Sequence, residues 1–428
     1  MERFVYPKLD ETVFRETLPN GLTLMVVPRR GFSKRLAYFV TDFGSIHTEF
    51  SFEGQQHQVP AGVAHYLEHK LFDMPDGRDV SAEFASLGAM TNAFTSYDMT
   101  AYYFSCTDNF SQCLHLLLEF VSTPYFTEES VRKEQGIIDQ EIGMYEDSPE
   151  SRVYENLMGI SYQNHPIRVP ILGTSETIRQ ITPEILHLCH RAFYTPGNML
   201  LCVIGDVDAE EVSTIARQVL GDEKREVGQK IRNWPEELEI QDPFVTQRME
   251  VAMPMFNLVF KCSPSEPGEP GIRRELVADL AAEALFGESS ELYLKLYEEG
   301  LIDSSFGGGF ETIDGCAMLM CSGDSNDPER VWEAIVAQGA KLAESGIHED
   351  VFLRMKRSAL GRRIRGLDSF DSTCFRLCAY HLSRFDYFRF PEIYTQITRQ
   401  EVETFLAEVV QAKSSAMSVI YPKQQEAV

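Results

Sequence analysis

Apolar positions along the chain switch between a period of two and a period near 3.6. "GLTLMVVPR" (21–29) and "RLAYFVTDFGS" (35–45) are rich in apolar, β-branched and aromatic residues, and a turn-rich basic stretch separates them. This pattern predicts two strands. "TNAFTSYDMTAYYFSC" (91–106) predicts a further strand pair that turns at "SYDM". Helical spacing takes over in "FSQCLHLLLEFVSTP" and stops at Pro124. "TPEILHLCHRAFY" begins a second clear helix, with Thr182 as N-cap and Pro183 at the first helical position, and the strand "NMLLCVIGDV" follows it. Residues 223–243 are charged, poor in apolar positions and marked by proline, so they read as a linker between 1–222 and 244–428. Beyond it, "QRMEVAMPMFNLVFKCS" restarts a strand pattern.

The two halves echo one another. "VAHYLEHKLF" (63–72) aligns with "VADLAAEALF" (277–286) at an offset of 214. "QITPEILHLCHRAFYTPGNMLLCVIG" aligns with "QITRQEVETFLAEVVQAKSSAMSVIY" at an offset of 216. Near-equal offsets predict a duplicated α+β unit. A length of 428 residues agrees, since one core rarely serves more than about 250–300 residues.

Charge and cysteine usage narrow the function classes. A formal net charge of −26 argues against nucleic acid as a partner and suits a neutral or basic ligand. Nine scattered cysteines read as reduced buried thiols, which predicts a cytoplasmic protein. The opening "MERFVYPKLDETVF" has neither a basic start nor an apolar stretch, and no run approaches 18 apolar residues, so no membrane partner is expected.

One apolar run carries three polar residues. In "VAHYLEHKLF", His65 and His69 are four apart, so a helix aims both imidazoles to one side. Glu68 lies three after His65, beside any metal the histidines bind. The duplicate carries Asp279, Ala282 and Glu283 instead, so the helix does not need the histidines to form. Two imidazoles with a free glutamate match the inverted zinc-hydrolase motif, in which the glutamate takes a proton from water. A third protein ligand is required. In "VRKEQGIIDQEIGMYEDSPESR", Glu134 and Glu141 are seven apart and share a helix face, with Ile137, Ile138 and Ile142 expected on the buried side. The pattern alone does not single out Glu141, although Asp139, Glu146 and Glu150 read as solvated.

These residues resemble the pitrilysin-like M16 zinc metallopeptidases, whose signature is the inverted histidine motif followed some seventy residues later by two glutamates seven apart. Here the separation is 141 − 69 = 72. The resemblance covers the whole chain and implies two tandem homologous α+β domains, each a mainly antiparallel sheet packed against helices. The first would bind zinc, and the second would lack metal ligands. It implies Zn2+ held by His65, His69 and Glu141, with Glu68 as general base and Glu134 as accessory carboxylate. "NAFTS" matches the family's active-site strand, which implies that Asn92, Ala93, Phe94 and Thr95 bind peptide by strand pairing. "GVAHYLEHKLF", "GIIDQEIGMYEDSPESR" and "HPIRVPILGT" are similar to a bacterial subgroup, the YmfH-like proteins, whose name links them to aminopentanol modification of elongation factor P.

One departure stands out. Active members carry arginine and tyrosine around a Gly-Leu, where this chain has Leu296 and Asp303 in "LYEEGLID". The resemblance therefore implies a zinc endopeptidase subunit that works in a heterodimer with a homologous subunit, or as a homodimer, unless Arg273 or Arg274 stands in. The alternative is a non-proteolytic maturation or scaffold partner. A metal-free binding module is a third reading.

Overall fold

The computed structural model describes residues 1–423. Seven strands form the first sheet: β1 (Glu2–Tyr6), β2 (Glu11–Thr17), β3 (Thr23–Pro28), β4 (Arg35–Thr41), β7 (Met90–Thr95), β8 (Thr100–Cys106) and β9 (Met199–Gly205). Their order is β1-β2-β3-β9-β4-β8-β7, and every neighbouring pair is antiparallel except β3 with β9. β5 (Glu49–Phe52), β6 (Gln55–Gln58) and β10 (Gln229–Lys230) form a small sheet of their own.

The second large sheet contains β11 (Phe244–Met249), β12 (Met255–Cys262), β13 (Gly307–Ile313), β14 (Cys316–Asp324) and β15 (Ser415–Pro422). Its order is β11-β15-β12-β14-β13, again with one parallel pair, β11 with β15. Strand for strand this repeats β3-β9-β4-β8-β7. The helix Val63–Lys70 packs on β7, and the helix Glu269–Phe286 packs on β13. The fold is thus a duplicated α+β unit. The first copy adds β1 and β2 to its sheet.

The compact units differ from the contiguous halves expected at 1–222 and 244–428. Unit one comprises residues 1–142, 170–232 and 364–389, and unit two takes 143–169, 233–363 and 390 onward. Apolar burial explains the difference. The helix Pro149–Ser161 buries Val153, Leu157 and Met158 and lies against β12 and β15. The helix Phe370–Leu382 buries Phe370, Cys374, Leu377 and Cys378 and lies against β9 and β4. Each unit therefore takes a helix from the other half of the sequence.

The segment 223–243 contains β10 and an anchor as well as irregular chain. Glu236 accepts the backbone N–H groups of Gln163, Asn164 and His165, the last at 2.7 Å. Its carboxylate also lies 2.7 Å from the Lys261 ammonium, which is 3% exposed, bonds the Ser161 carbonyl and sits 4.5 Å from the Tyr162 ring centre. Removing one partner of a buried pair strands the other charge, which typically costs about 3–5 kcal/mol. Glu236→Ala is expected to destabilise unit two by about 3 kcal/mol. Urea unfolding followed by tryptophan fluorescence checks this, because both tryptophans, Trp234 and Trp332, lie in that unit. A loss below about 0.5 kcal/mol, the range of an ordinary surface change, would remove the anchor role.

Candidate metal centre

The histidine helix, Val63–Lys70, starts from Gly62 at φ 92°. A side chain there would be strained, and its Cβ would come within 2.4 Å of the Leu172 carbonyl oxygen. Glycine therefore sets the point at which the chain enters the helix. Val63, Ala64, Tyr66 and Leu67 are buried, and the Tyr66 hydroxyl donates to the Val131 carbonyl of the glutamate helix, Glu128–Asp147. That bond and the burial of Ile138 and Ile142 seat the two helices side by side. Ile137 departs from expectation: it is 45% exposed and lies off the core face.

The structure brings His65, His69 and Glu141 together. Glu141 Oε2 lies 3.7 Å from His65 Nε2 and 3.4 Å from His69 Nε2. The three donor atoms all fall within 4.8 Å of one another, and no other trio of His, Cys, Asp or Glu does so among the described residues. Tetrahedral zinc with ligands at about 2.1 Å sets those ligands about 3.4 Å apart. Imidazole and carboxylate donors without thiolate also suit zinc, so the residues fit the ion.

The two histidines differ in their electrostatics. Burial, then neighbouring His69, pulls the His65 pKa down to about 4, so its imidazole is neutral near pH 7, the form that ligates metal. His69 behaves oppositely. Burial pulls its pKa down, but bonds to Glu134 and Glu141 outweigh that and raise it to about 10. The bond from His69 holds the Glu141 carboxyl below its ordinary range, against burial. His69 Nδ1 lies 2.9 Å from Glu134 Oε1. Glu134 thus stands behind the ligand, an arrangement that fixes the imidazole's tautomer and orientation.

Glu68 shares the histidine helix but joins no histidine. It accepts a 2.6 Å hydrogen bond from Thr95 Oγ1, and burial raises its carboxyl pKa. Thr95 closes β7, which is the last strand of its sheet and pairs only with β8 among the described residues. Asn92 is exposed, and its Oδ1 accepts the Ala93 N–H. Ala93 packs on the core, while Phe94 turns to the other face and meets Tyr38, Tyr103 and Phe375. Of these four residues, Asn92 is exposed and the other three are half-buried. The sequence pattern gives no sign of the bond between Thr95 and Glu68 by residue spacing alone. Strand alternation could have suggested it, since Thr91, Ala93 and Thr95 share a face opposite Phe94.

The duplicate site carries no donor set. Asp279 lies 2.7 Å from Arg363, Glu283 lies 2.6 Å from Arg362, and Ala282 is buried. Leu296 is a core residue at 1% exposure, and Asp303 accepts the Ser305 N–H. Arg273 is engaged with Glu401 at 2.7 Å and with Gln396.

The first copy of the duplicated α+β fold thus carries a two-histidine, one-glutamate cluster with donors suited to a metal, and among the described residues the second copy carries none. Residues 55–175 match the family model described as insulinase (peptidase family M16), and residues 180–359 match the peptidase M16 inactive domain. The Bacillus subtilis protein named "Uncharacterized zinc protease YmfH" is 36% identical over 425 residues, covering 98% of each chain. A second B. subtilis protein, "Uncharacterized zinc protease YmxG", is 31% identical over 170 residues, covering 38% of this chain and 42% of its own. A crystal structure of an M16-like peptidase from Alicyclobacillus acidocaldarius superposes with a TM-score of 0.92 at 31% identity, covering 96% of this chain and 99% of that one. The chain belongs to peptidase family M16 and is YmfH-like.

Proposed function

We propose that the chain is a zinc-dependent endopeptidase and the metal-bearing subunit of a two-subunit peptidase. The observation that carries this reading is Glu68, a half-buried carboxylate beside the donor trio that is bonded to Thr95 and to neither histidine. A purely structural metal site has no use for such a group. His65, His69 and Glu141 would hold the ion, and Glu134 would orient His69. When bound, zinc supplies a Lewis acid that polarises the scissile carbonyl and acidifies water. Glu68 takes the proton of the attacking water and returns it to the leaving amine. The open edge of β7, at Asn92 and Ala93, pairs with the peptide backbone as an added strand. The chain charge of −26 favours neutral or basic peptides. Nine free, buried cysteines support a reducing, cytoplasmic setting, and no helix among the described residues is long and apolar enough to cross a membrane.

A second reading is a non-proteolytic maturation or scaffold partner, linked to elongation factor P modification. Leu296 and Asp303 favour it, because they offer no cationic or phenolic donor for a developing oxyanion.

Metal analysis tests the centre. One zinc per chain is expected in the wild type, and Glu141→Gln is expected to lose most of it after dialysis. Peptide cleavage should vanish with a chelator and return with added zinc. Full zinc occupancy in Glu141→Gln would remove that residue from the ligand set.

A further inference from the structure

We infer that Thr95 is a positioning residue, whose hydroxyl fixes the orientation of the Glu68 carboxylate for proton transfer. The catalytic consequence rests on the peptidase reading above, but the hydrogen bond does not. Thr95 Oγ1 donates to Glu68 Oε2 at 2.6 Å, within the short range of hydroxyl–carboxylate bonds. Among the described residues, the other Glu68 oxygen has no hydrogen-bond partner, and it is not among the buried polar atoms left unpaired. One oxygen is therefore held and the other is available.

The hydroxyl is itself held. Thr95 is the last residue of β7 and faces Thr100 in the β8 register. Its neighbour Phe94 is clamped on the opposite face by Tyr38, Tyr103 and Phe375, which sets the pleat and directs Thr95 toward the histidine helix. A β-branched side chain has few χ1 choices, so Oγ1 has little freedom once the strand is fixed. A base that must reach one water gains from such restraint, because small misplacements are costly in rate. The hydroxyl also belongs to the strand whose open edge is proposed to take the peptide. Base and peptide would thus be positioned by the same element.

The test compares Thr95→Val, which keeps shape and loses the donor, with Thr95→Ser, which keeps the donor. Both are made in the full chain and in Glu68→Gln. With zinc loaded and the partner subunit present, Thr95→Val is expected to lower kcat roughly 10- to 100-fold, as for loss of a hydrogen bond to a charged group. KM should stay within about twofold, since substrate binding is not what the bond serves. Thr95→Ser should recover kcat to within about threefold. In the Glu68→Gln background Thr95→Val should add nothing, because the two act as a unit. Infrared difference spectra, wild type minus Glu68→Gln, isolate the Glu68 carboxylate stretch. That band should shift in Thr95→Val and hold in Thr95→Ser. Unchanged kcat, or an unmoved band, overturns the inference. So does a loss of zinc or of thermal stability in Thr95→Val that accounts for the whole fall in kcat. If the wild type cleaves no peptide with or without its partner, the peptidase reading fails, and the infrared band alone decides whether Thr95 fixes Glu68.

Discussion

Glu68→Gln is expected to keep one zinc per chain and to lower peptide turnover by roughly 100- to 10,000-fold, the usual contribution of a positioned acid–base group. The two halves of this outcome have separate structural causes. Metal retention follows because the proposed donors are His65, His69 and Glu141, and Glu68 is hydrogen-bonded to Thr95 and to none of them. The loss of turnover follows because the amide cannot accept the proton of the attacking water. The substitution is nearly isosteric, and the amide oxygen can still accept from Thr95, so the helix and its neighbours should stand. Zinc analysis and turnover on one peptide, measured on the same preparation, give the answer. Turnover within a few-fold of the wild type would remove Glu68 from the role of base. A parallel loss of zinc would instead make it part of the metal's support.

The second large effect concerns the missing donors. The lone chain is expected to be slower than its mixture with a homologous M16 subunit by roughly 100- to 1,000-fold, the cost of lacking one oxyanion donor. Leu296 is closed in the core, and the Asp303 side chain is acidic, so neither position supplies that donor. Arg273, one of the two cations considered as substitutes beside Arg274, is held by Glu401 and Gln396. Turnover of this chain, of the partner and of the mixture should be compared at matched zinc. A lone chain as fast as the mixture would end the divided-site idea. Silence of all three on neutral and basic peptides would favour the maturation-partner reading.

Much of the site could be read from residue order, because its parts are local. The i, i+4 histidines and the glutamates seven apart are properties of single helices, and the helices Val63–Lys70 and Glu128–Asp147 carry them as expected. Near-equal offsets likewise exposed the duplication, since β9 and β15 hold the same place in their sheets. What escaped depends on partners distant in sequence. Ile137 looks like Ile138 in a periodic pattern, and only the seat of the helix leaves it outside. Glu236 sits in a charged stretch that resembles solvated linker, yet three backbone N–H groups and Lys261 claim it. Thr95 lies on the strand expected to take substrate, and its hydroxyl also bonds Glu68, 27 residues away. The acidic residues of the duplicate helix likewise gave no hint of Arg362 and Arg363, roughly eighty residues on, where two guanidinium cations stand against the helix that lacks metal donors.

The exchange of helices has a consequence for how the protein is made. Chains leave the ribosome from the N-terminus, and domains usually close as they emerge. Here the first sheet is complete once β9 has been synthesised, but the helix that covers β9 and β4 spans Phe370–Leu382. Cys374 of that helix ends 3.7 Å, sulfur to sulfur, from Cys202 of β9, across a gap of 172 residues. Until the late helix arrives, the sheet face opposite the histidine helix lacks the cover that Phe370, Cys374, Leu377 and Cys378 provide. Such a face is a natural target for chaperones during translation. A gene cut within 223–243 would leave that state permanent, yielding a fragment with its donors intact and one wall of its core missing.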